Sequence, residues 1–308
     1  LAPPLSVGSI FLKEPNKAID LAEQYGVCTG FQARSCGLNW VLAPVCDINN
    51  NPNNPVINMR AWGEDAHTVA ALSSAFHRGL SSQGVLSCAK HFPGHGDTSV
   101  DSHLKLPVLQ HDLKRLHDVE LFPFKAVVSS GVDAVMTAHL LLPKVDSKYP
   151  ATLSEKIISK LLREEIGFDG LLVTDALVMK PISQRYGCGE AAVMAFAAGA
   201  DLLMMPENPD VAIEAICEAL LSGRVPIKRL EQALLRRKQA LAKVNFLNET
   251  IQIQGKASSS FELERAQDLR LVDELIDSSI EIRNVRRSAI KDAGINLIRI
   301  DGILPCPF

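Results

Sequence analysis

Residues 90–103 read Lys-His-Phe-Pro-Gly-His-Gly-Asp-Thr-Ser-Val-Asp-Ser-His. One Lys, three His and two Asp fall within these fourteen positions, together with two Gly and a Pro. A loop of this composition can present several polar groups at one mouth, and three chemistries compete for it. His91, His95 and His103 are metal-ligand types, but no H-E-x-x-H spacing is present and Lys90 is a poor neighbour for a cation. A polar loop whose imidazoles only hydrogen-bond is the plain alternative. General acid/base work is the third. Asp101 and His103 are two apart, close enough for a carboxylate to orient an imidazole and raise its basicity.

Asp175 is a second candidate, in Val173-Thr174-Asp175-Ala176-Leu177 at the end of an apolar run. A carboxylate there is costly to bury without a partner. It reads either as an N-cap of the helix that follows, or as a nucleophile or electrostatic stabiliser of a cationic transition state. The third candidate is the stretch 49–60, with six Asn and two Pro, which is turn-rich and ends on Arg60. The Arg60 guanidinium could offer a fork of hydrogen bonds to a hydroxyl or carbonyl. It could equally form a surface ion pair with Glu64 or Asp65.

Two periodicities alternate around these candidates. Short apolar runs at 40–45, 85–89, 133–138, 171–174 and 200–205 read as buried strands. Helical patterns occupy 16–36, 68–84, part of 107–130, 154–166 (with Ser154 as N-cap), 189–198, 208–221 and 227–244. Alternation of this kind predicts a parallel sheet with helices outside, and near-continuous apolar strands fit burial on both faces. An open doubly wound sheet and a (β/α)8 barrel both satisfy the pattern. No G-x-G-x-x-G follows a strand, which weakens dinucleotide binding. Five strands fall short of the eight in a closed barrel. The active site of a barrel lies just past the C-terminal ends of its strands, where residues 90–103 and Asp175 would both fall. After Val244 the chain turns polar. Residues 245–260 read as a linker, 261–280 as a charged helix and 295–300 as one strand, the opening of a second α/β domain.

Composition narrows the class. The 308 residues are 47% hydrophobic and 22% charged, ordinary for a globular chain. The net charge of −3, with no basic block, argues against nucleic acid as a partner. No apolar run is long enough to span a membrane. The seven Cys are scattered without C-x-x-C, which predicts buried thiols, no disulfide framework, and a reducing, cytoplasmic compartment. The chain begins at Leu1 rather than Met, and 295–300 is followed by only eight residues, so truncation at both ends is expected.

Together, the strings APVCDINNNPNNPVINMR (43–60), KHFPGHGDTSVDSH (90–103), MTAHLLLP (136–143), PATLS (150–154) and VTDALVM (173–179) resemble glycoside hydrolase family 3, in its β-N-acetylglucosaminidase branch. The likeness covers residues 1–245. It implies a (β/α)8 TIM-type barrel lacking its first strands, with residues 246–308 starting a second α/β domain. It implies retaining hydrolysis of terminal β-linked N-acetylglucosamine from cell-wall (peptidoglycan-derived) or related glycans, without a metal or organic cofactor. Asp175 would be the nucleophile, His103 the acid/base and Asp101 its orienting partner. Arg60, Lys90 and His91 would bind the sugar. Most glycosidases use two carboxyl groups for these tasks, and the His is what separates this branch from the β-glucosidases of the family. The D-Q-E-G-G segment usual in the family is missing from residues 1–308, and the likeness places it before Leu1. A β-glucosidase of the same family and an inactive glycan-binding barrel are the alternative readings. A neutral His acid/base repels an anionic acceptor less than a carboxylate does, which leaves phosphorolysis open.

Overall fold

The computed structural model describes residues 1–102, 104–253, 263 and 265–279. Helices α1 (Pro4–Phe11) and α2 (Pro15–Ser35) come first, each opened by a proline where no intrahelical donor is needed. The chain then runs extended past Trp40 and Val45, which bridge in parallel to Leu86 and Lys90. Helix α3 (Ala66–Ser82) is capped by the Asp65 carboxylate, which accepts from Thr68 N at 2.9 Å. Strand β1 (Cys88–Phe92) leads through the long loop to α4 (Leu113–Arg115), a wide turn Leu116–Glu120, and α5 (Leu121–Ser129). Strand β2 (Ala134–Thr137), a wide helix Lys156–Glu165 and strand β3 (Leu171–Val173) follow. Then come α6 (Lys180–Tyr186), α7 (Cys188–Ala198), α8 (Pro209–Leu221, capped by Asn208), α9 (Ile227–Ile253) and α10 (Ala266–Ser279).

The strands pair in the order β1-β2-β3, all parallel. The 40–45 segment lies beside β1, and Leu202 bridges in parallel to Val173 beside β3. Sheet neighbours are therefore also neighbours along the chain. A doubly wound sheet reverses its order at a switch point, and this sheet does not, so the order is that of a barrel wall. The fold is mixed α/β and of the TIM-barrel type.

Alternation of side chains gives the sheet two different faces. Ala89, Val135 and Leu172 pack outward with Leu121, Phe124, Leu161 and Leu162 of the covering helices. Cys88, Ala134, Met136, Leu171 and Val173 pack together on the opposite face. Helix α9 lays Ala240 and Val244 against that second face. Lys243 Nζ anchors it to Asp133 Oδ1 at 2.6 Å, just before β2. The other Asp133 oxygen accepts from Ser87 N at 3.0 Å, and Ser87 Oγ lies 2.7 Å from His77 Nδ1 of α3. One carboxylate thus ties two strand starts to two helices.

Several element bounds differ from expectation, each for a local reason. The strand expected at 85–89 extends instead through Phe92, because Lys90 N donates to Pro44 O and Cys46 N to Lys90 O. Ser154 does cap its helix, accepting from Ile157 N at 3.3 Å. The helix expected to end at Val244 continues to Ile253, so the first part of the predicted linker is helical backbone. No Gly or Pro interrupts 245–253, and the first breaker is Gly255. Helix α10, within the predicted charged helix, packs Leu271 and Leu275 onto the core formed with α1 and α2. The strand expected at 295–300 lies outside the described residues, as does Cys306. Of the other six Cys, all free thiols, only Cys28, Cys46 and Cys88 are buried; Cys36 and Cys217 are exposed, against the expectation of buried thiols, because Cys36 lies in the turn that follows α2 and Cys217 on the solvent side of α8. Among the described residues no helix is long and apolar enough to cross a membrane.

Asp201 holds the wide helix and α9 to the sheet. Its fully buried carboxylate accepts from Arg163 Nη2 at 2.7 Å, Leu172 N at 3.0 Å and Arg229 Nη2 at 2.5 Å, with Arg236 Nη1 at 3.4 Å. Burial lowers the Arg163 pKa to about 10, against the opposing pull of Asp201. Removing the carboxylate strands buried cations. Asp201→Ala should therefore cost about 3–5 kcal/mol, seen as a lower urea midpoint at unchanged slope. A loss below about 1 kcal/mol would mean the arginines find other partners.

Candidate active site

The register of the sheet decides which candidates meet. Phe92 pairs with Thr137, and Met136 with Val173, so the C-terminal ends of β1, β2 and β3 lie side by side. Continuing the alternation of Leu171 and Val173 puts Asp175 on the face that carries Cys88, Ala134 and Met136. Lys90, two residues past Cys88, belongs to the same face up to the register slip between Ala89 and Phe92. Asp175 and Lys90 therefore share one face at one end of the sheet.

Asp175 is half-buried, and its Oδ1 accepts from Ala176 N at 2.8 Å. It does not cap a helix, since α6 begins at Lys180 with Met179 in the cap position. Its turn is fixed from behind by His139, which is fully buried. His139 Nε2 lies 3.0 Å from Ala176 O, an atom that only accepts, so the hydrogen is on Nε2. Its Nδ1 lies 2.8 Å from Thr152 Oγ1. Thr174 Oγ1, next to Asp175, accepts from Met204 N at 2.9 Å and so holds the neighbouring segment.

Lys90 is half-buried, and burial lowers its pKa. The Arg60 charge pushes the same way, while Asp175 and Asp47 oppose it. These influences place the two cations and two carboxylates in one electrostatic neighbourhood. Arg60 is exposed, and its Nη1 donates to Val56 O at 3.0 Å. The alternative pairing with Asp65 is not made, because Asp65 is committed to Thr68. A cavity of about 460 Å³ lies against Arg60 and Lys90, with Tyr25, Trp62, Phe76 and Pro44 among its walls.

His91 is buried and is held by Asp47, a residue that the sequence reading passed over. Asp47 is fully buried just past the 40–45 segment. Its carboxylate accepts from His91 N at 3.1 Å, His91 Nδ1 at 2.7 Å and His95 N at 2.7 Å. Burial alone would raise its pKa, but the charge and hydrogen bonds of His91, with help from His95, hold it below the ordinary carboxylate value. The carboxylate accepts only, so the His91 hydrogen is on Nδ1. Asn54 was also missed. Its Nδ2 donates to His95 O at 2.8 Å and Gly96 O at 2.7 Å, and its Oδ1 accepts from Val56 N and Ile57 N. It therefore joins the Asn-rich loop to the 90–103 loop. An acidic residue directly after an apolar strand was the available signal for Asp47, the same one that singled out Asp175. Asn54 had no distinguishing signal among its neighbouring asparagines.

Asp101 is half-buried, and its carbonyl accepts from Leu104 N and Lys105 N in a tight turn. His103 lies outside the described residues. Among the described residues no group of three or more His, Cys, Asp or Glu is placed to hold a metal ion.

The profile of the glycosyl hydrolase family 3 N-terminal domain matches residues 9–239, and the chain belongs to that family. It is 35% identical to beta-hexosaminidase A of Pseudoalteromonas piscicida, over 98% of this chain and 50% of that one. It is 37% identical to a beta-hexosaminidase of Neisseria meningitidis serogroup B, over 68% of this chain and 58% of that protein. A family 3 beta-N-acetylglucosaminidase from a Paenibacillus species superposes with a TM-score of 0.81 at 39% identity, over 89% of this chain and 51% of that chain. The beta-glucoside phosphorylase BglX superposes with a TM-score of 0.80 at 27% identity, over 90% of this chain and 50% of that one. The chain thus spans between half and less than two thirds of these relatives.

Asp47→Ala leaves the donors of His91 and His95 buried without an acceptor, and should cost about 3–5 kcal/mol. A lowered carboxylate pKa stabilises the fold above the unfolded value of about 3.9 and is lost as pH falls below it. The variant should therefore lose less stability than the parent between about pH 5 and pH 2. Parallel acid-unfolding curves for the two proteins would count against this role.

Proposed function

We propose that this chain carries the catalytic centre of a retaining glycoside hydrolase that removes terminal β-linked N-acetylglucosamine from peptidoglycan-derived or related glycans. The observation that carries the reading is the shared end of the sheet: Asp175, just past β3, in the electrostatic neighbourhood of Lys90 on β1, with His91, the next residue of β1, locked by Asp47. Lys90 and Arg60 supply donors for sugar hydroxyls, and His91 presents its Nε2 because Nδ1 is committed to Asp47. Asp175 attacks the anomeric carbon while His103 protonates the leaving oxygen, giving a covalent glycosyl-enzyme. His103 then takes a proton from water, which displaces Asp175 with retention at the anomeric centre. Asp101 orients His103 and stabilises its charged form.

The names borne by the relatives support N-acetylglucosamine as the sugar. A β-glucosidase would leave Asp101 and His103 without a task, and an inactive barrel would have no need of Asp101, His103 and Asp175 together. The likeness to BglX favours phosphate as a second acceptor to be tested. With this reading go a cytoplasmic location, and a division into a (β/α)8 catalytic unit at 1–245 and the opening of a second α/β unit at 246–308.

The test is turnover of a chromogenic N-acetyl-β-glucosaminide, with the β-glucoside alongside. Asp175→Ala should lower kcat by about 10⁴-fold or more. Turnover that survives this change, or a preference for the glucoside, would overturn the assignment. Phosphate should leave rate and product unchanged if water is the acceptor, and a sugar phosphate would identify phosphorolysis.

A further inference from the structure

The loop that carries Asp101 and His103 leaves the sheet after β1 and returns ahead of α4. Its departing foot is Asp97 and Thr98. Thr98 Oγ1 lies 3.0 Å from His95 Nδ1, and Asn54 holds the preceding carbonyls of His95 and Gly96. Its returning foot is pinned to the segment after β2, where Leu109 N donates to Leu141 O and Leu141 N to Pro107 O, both at 2.9 Å. The two feet also meet directly. His111 Nε2 stands 3.2 Å from Asp97 Oδ2 and 3.8 Å from Glu120 Oε1, at ion-pair distance but without an aligned hydrogen bond to either. Arg115 completes the cluster: its Nη2 donates to Glu120 Oε1 at 2.9 Å and lies 3.8 Å from Asp97 Oδ2. Glu120 is only 3% exposed and sits beneath the start of the loop. A Cβ on Gly94, whose φ is +129°, would come within 2.8 Å of Glu120 Cβ, so the loop is pressed onto this buried carboxylate.

We propose that Asp97 and His111, backed by Arg115 and Glu120, form the neck of this loop and are positioning residues for the Asp101–His103 acid/base pair. The inference rests on the reading of that pair given above. A general acid works only within hydrogen-bond reach of the leaving oxygen, and a misplacement of about 1 Å can cost about 10²-fold in rate. Asp97, His111 and Arg115 are partly exposed, so the contact carries a small share of stability. What it does control is geometry, since it closes the base of the loop and leaves Asp175 and the sugar-binding groups untouched.

Loss of acid placement has a signature that general destabilisation lacks. It slows substrates whose leaving group needs a proton and spares those whose leaving group departs as a stable anion. Asp97→Asn and His111→Gln should each lower kcat/KM, which reports the first step alone, by about 10- to 100-fold for an alkyl N-acetyl-β-glucosaminide, yet by less than about threefold for the 2,4-dinitrophenyl one. Asp97→Glu should recover part of the loss. Equal losses on both substrates, or no loss on either, would overturn the proposal. His111→Asn serves in place of Asp97→Asn should that variant fail to fold. His103→Ala must show the same leaving-group dependence more strongly, and Asp175→Ala must abolish both activities. A His103→Ala enzyme without such dependence would bring down the acid/base reading itself, and the neck proposal with it. Dependence at His103 alone would bring down only the neck.

Discussion

The carboxylate of Asp47 is buried completely at the point where the 40–45 segment ends and β1 gives way to its loop. A buried carboxylate without partners costs several kcal/mol, so the surrounding chain has to bring donors to it. It does so from two places at once, the backbone of His91 and His95 and the ring of His91. The consequence is geometric. Two adjacent strand ends are fixed to one another, the His91 ring is held in one tautomer, and the loop leaving β1 starts from a defined point. Asn54 extends this constraint by holding the next two carbonyls of that loop to the Asn-rich segment that ends in Arg60.

The sheet supplies the second level of order. Its outward face is apolar and covered by helices, and its other face is apolar up to the last turn of each strand. There it changes character, to Lys90 on β1 and Asp175 past β3. Alternation fixes which residues share a face, which accounts for Asp175, while Lys90 stands within the register slip of β1 and is joined to Asp175 through their electrostatic proximity. The opposite end of the sheet is tied down by Asp133, and its helices by Asp201, each through ion pairs with basic residues of α9, that of Asp201 buried and that of Asp133 reaching an exposed lysine. These contacts hold α9 to strands far from it in sequence, and none of them reaches the candidate site.

The loop proposed to carry the acid/base is arranged differently. It is fixed at its base and spans a stretch of small and polar residues between its feet. Loops of this kind, carried on a rigid scaffold, are where function is commonly placed. On the proposed reading, a parallel sheet would hold the nucleophile and a loop the acid/base, which separates the two demands of the reaction: one group must stay still, and the other has to serve both a leaving group and an incoming water.

Strand and helix order was legible in the sequence because apolar periodicity reports burial directly, and the five apolar runs all became parallel neighbours. Lys90, His91 and Asp175 stood out because they follow those runs directly, Asp101 and His103 because they stand two apart in the loop after one, and Arg60 because it closes the Asn-rich stretch. Periodicity does not report pairing partners, however. That β1 extends to Phe92 was decided by backbone bonds to Pro44 and Cys46, and that α9 runs on to Ile253 was decided by the lack of a breaker rather than by its polar composition. The sequence could mark Asp97 and His111 only as isolated polar residues. Tertiary structure made them a pair, because hydrogen bonds and charges act over a few ångströms of space, whatever the distance along the chain.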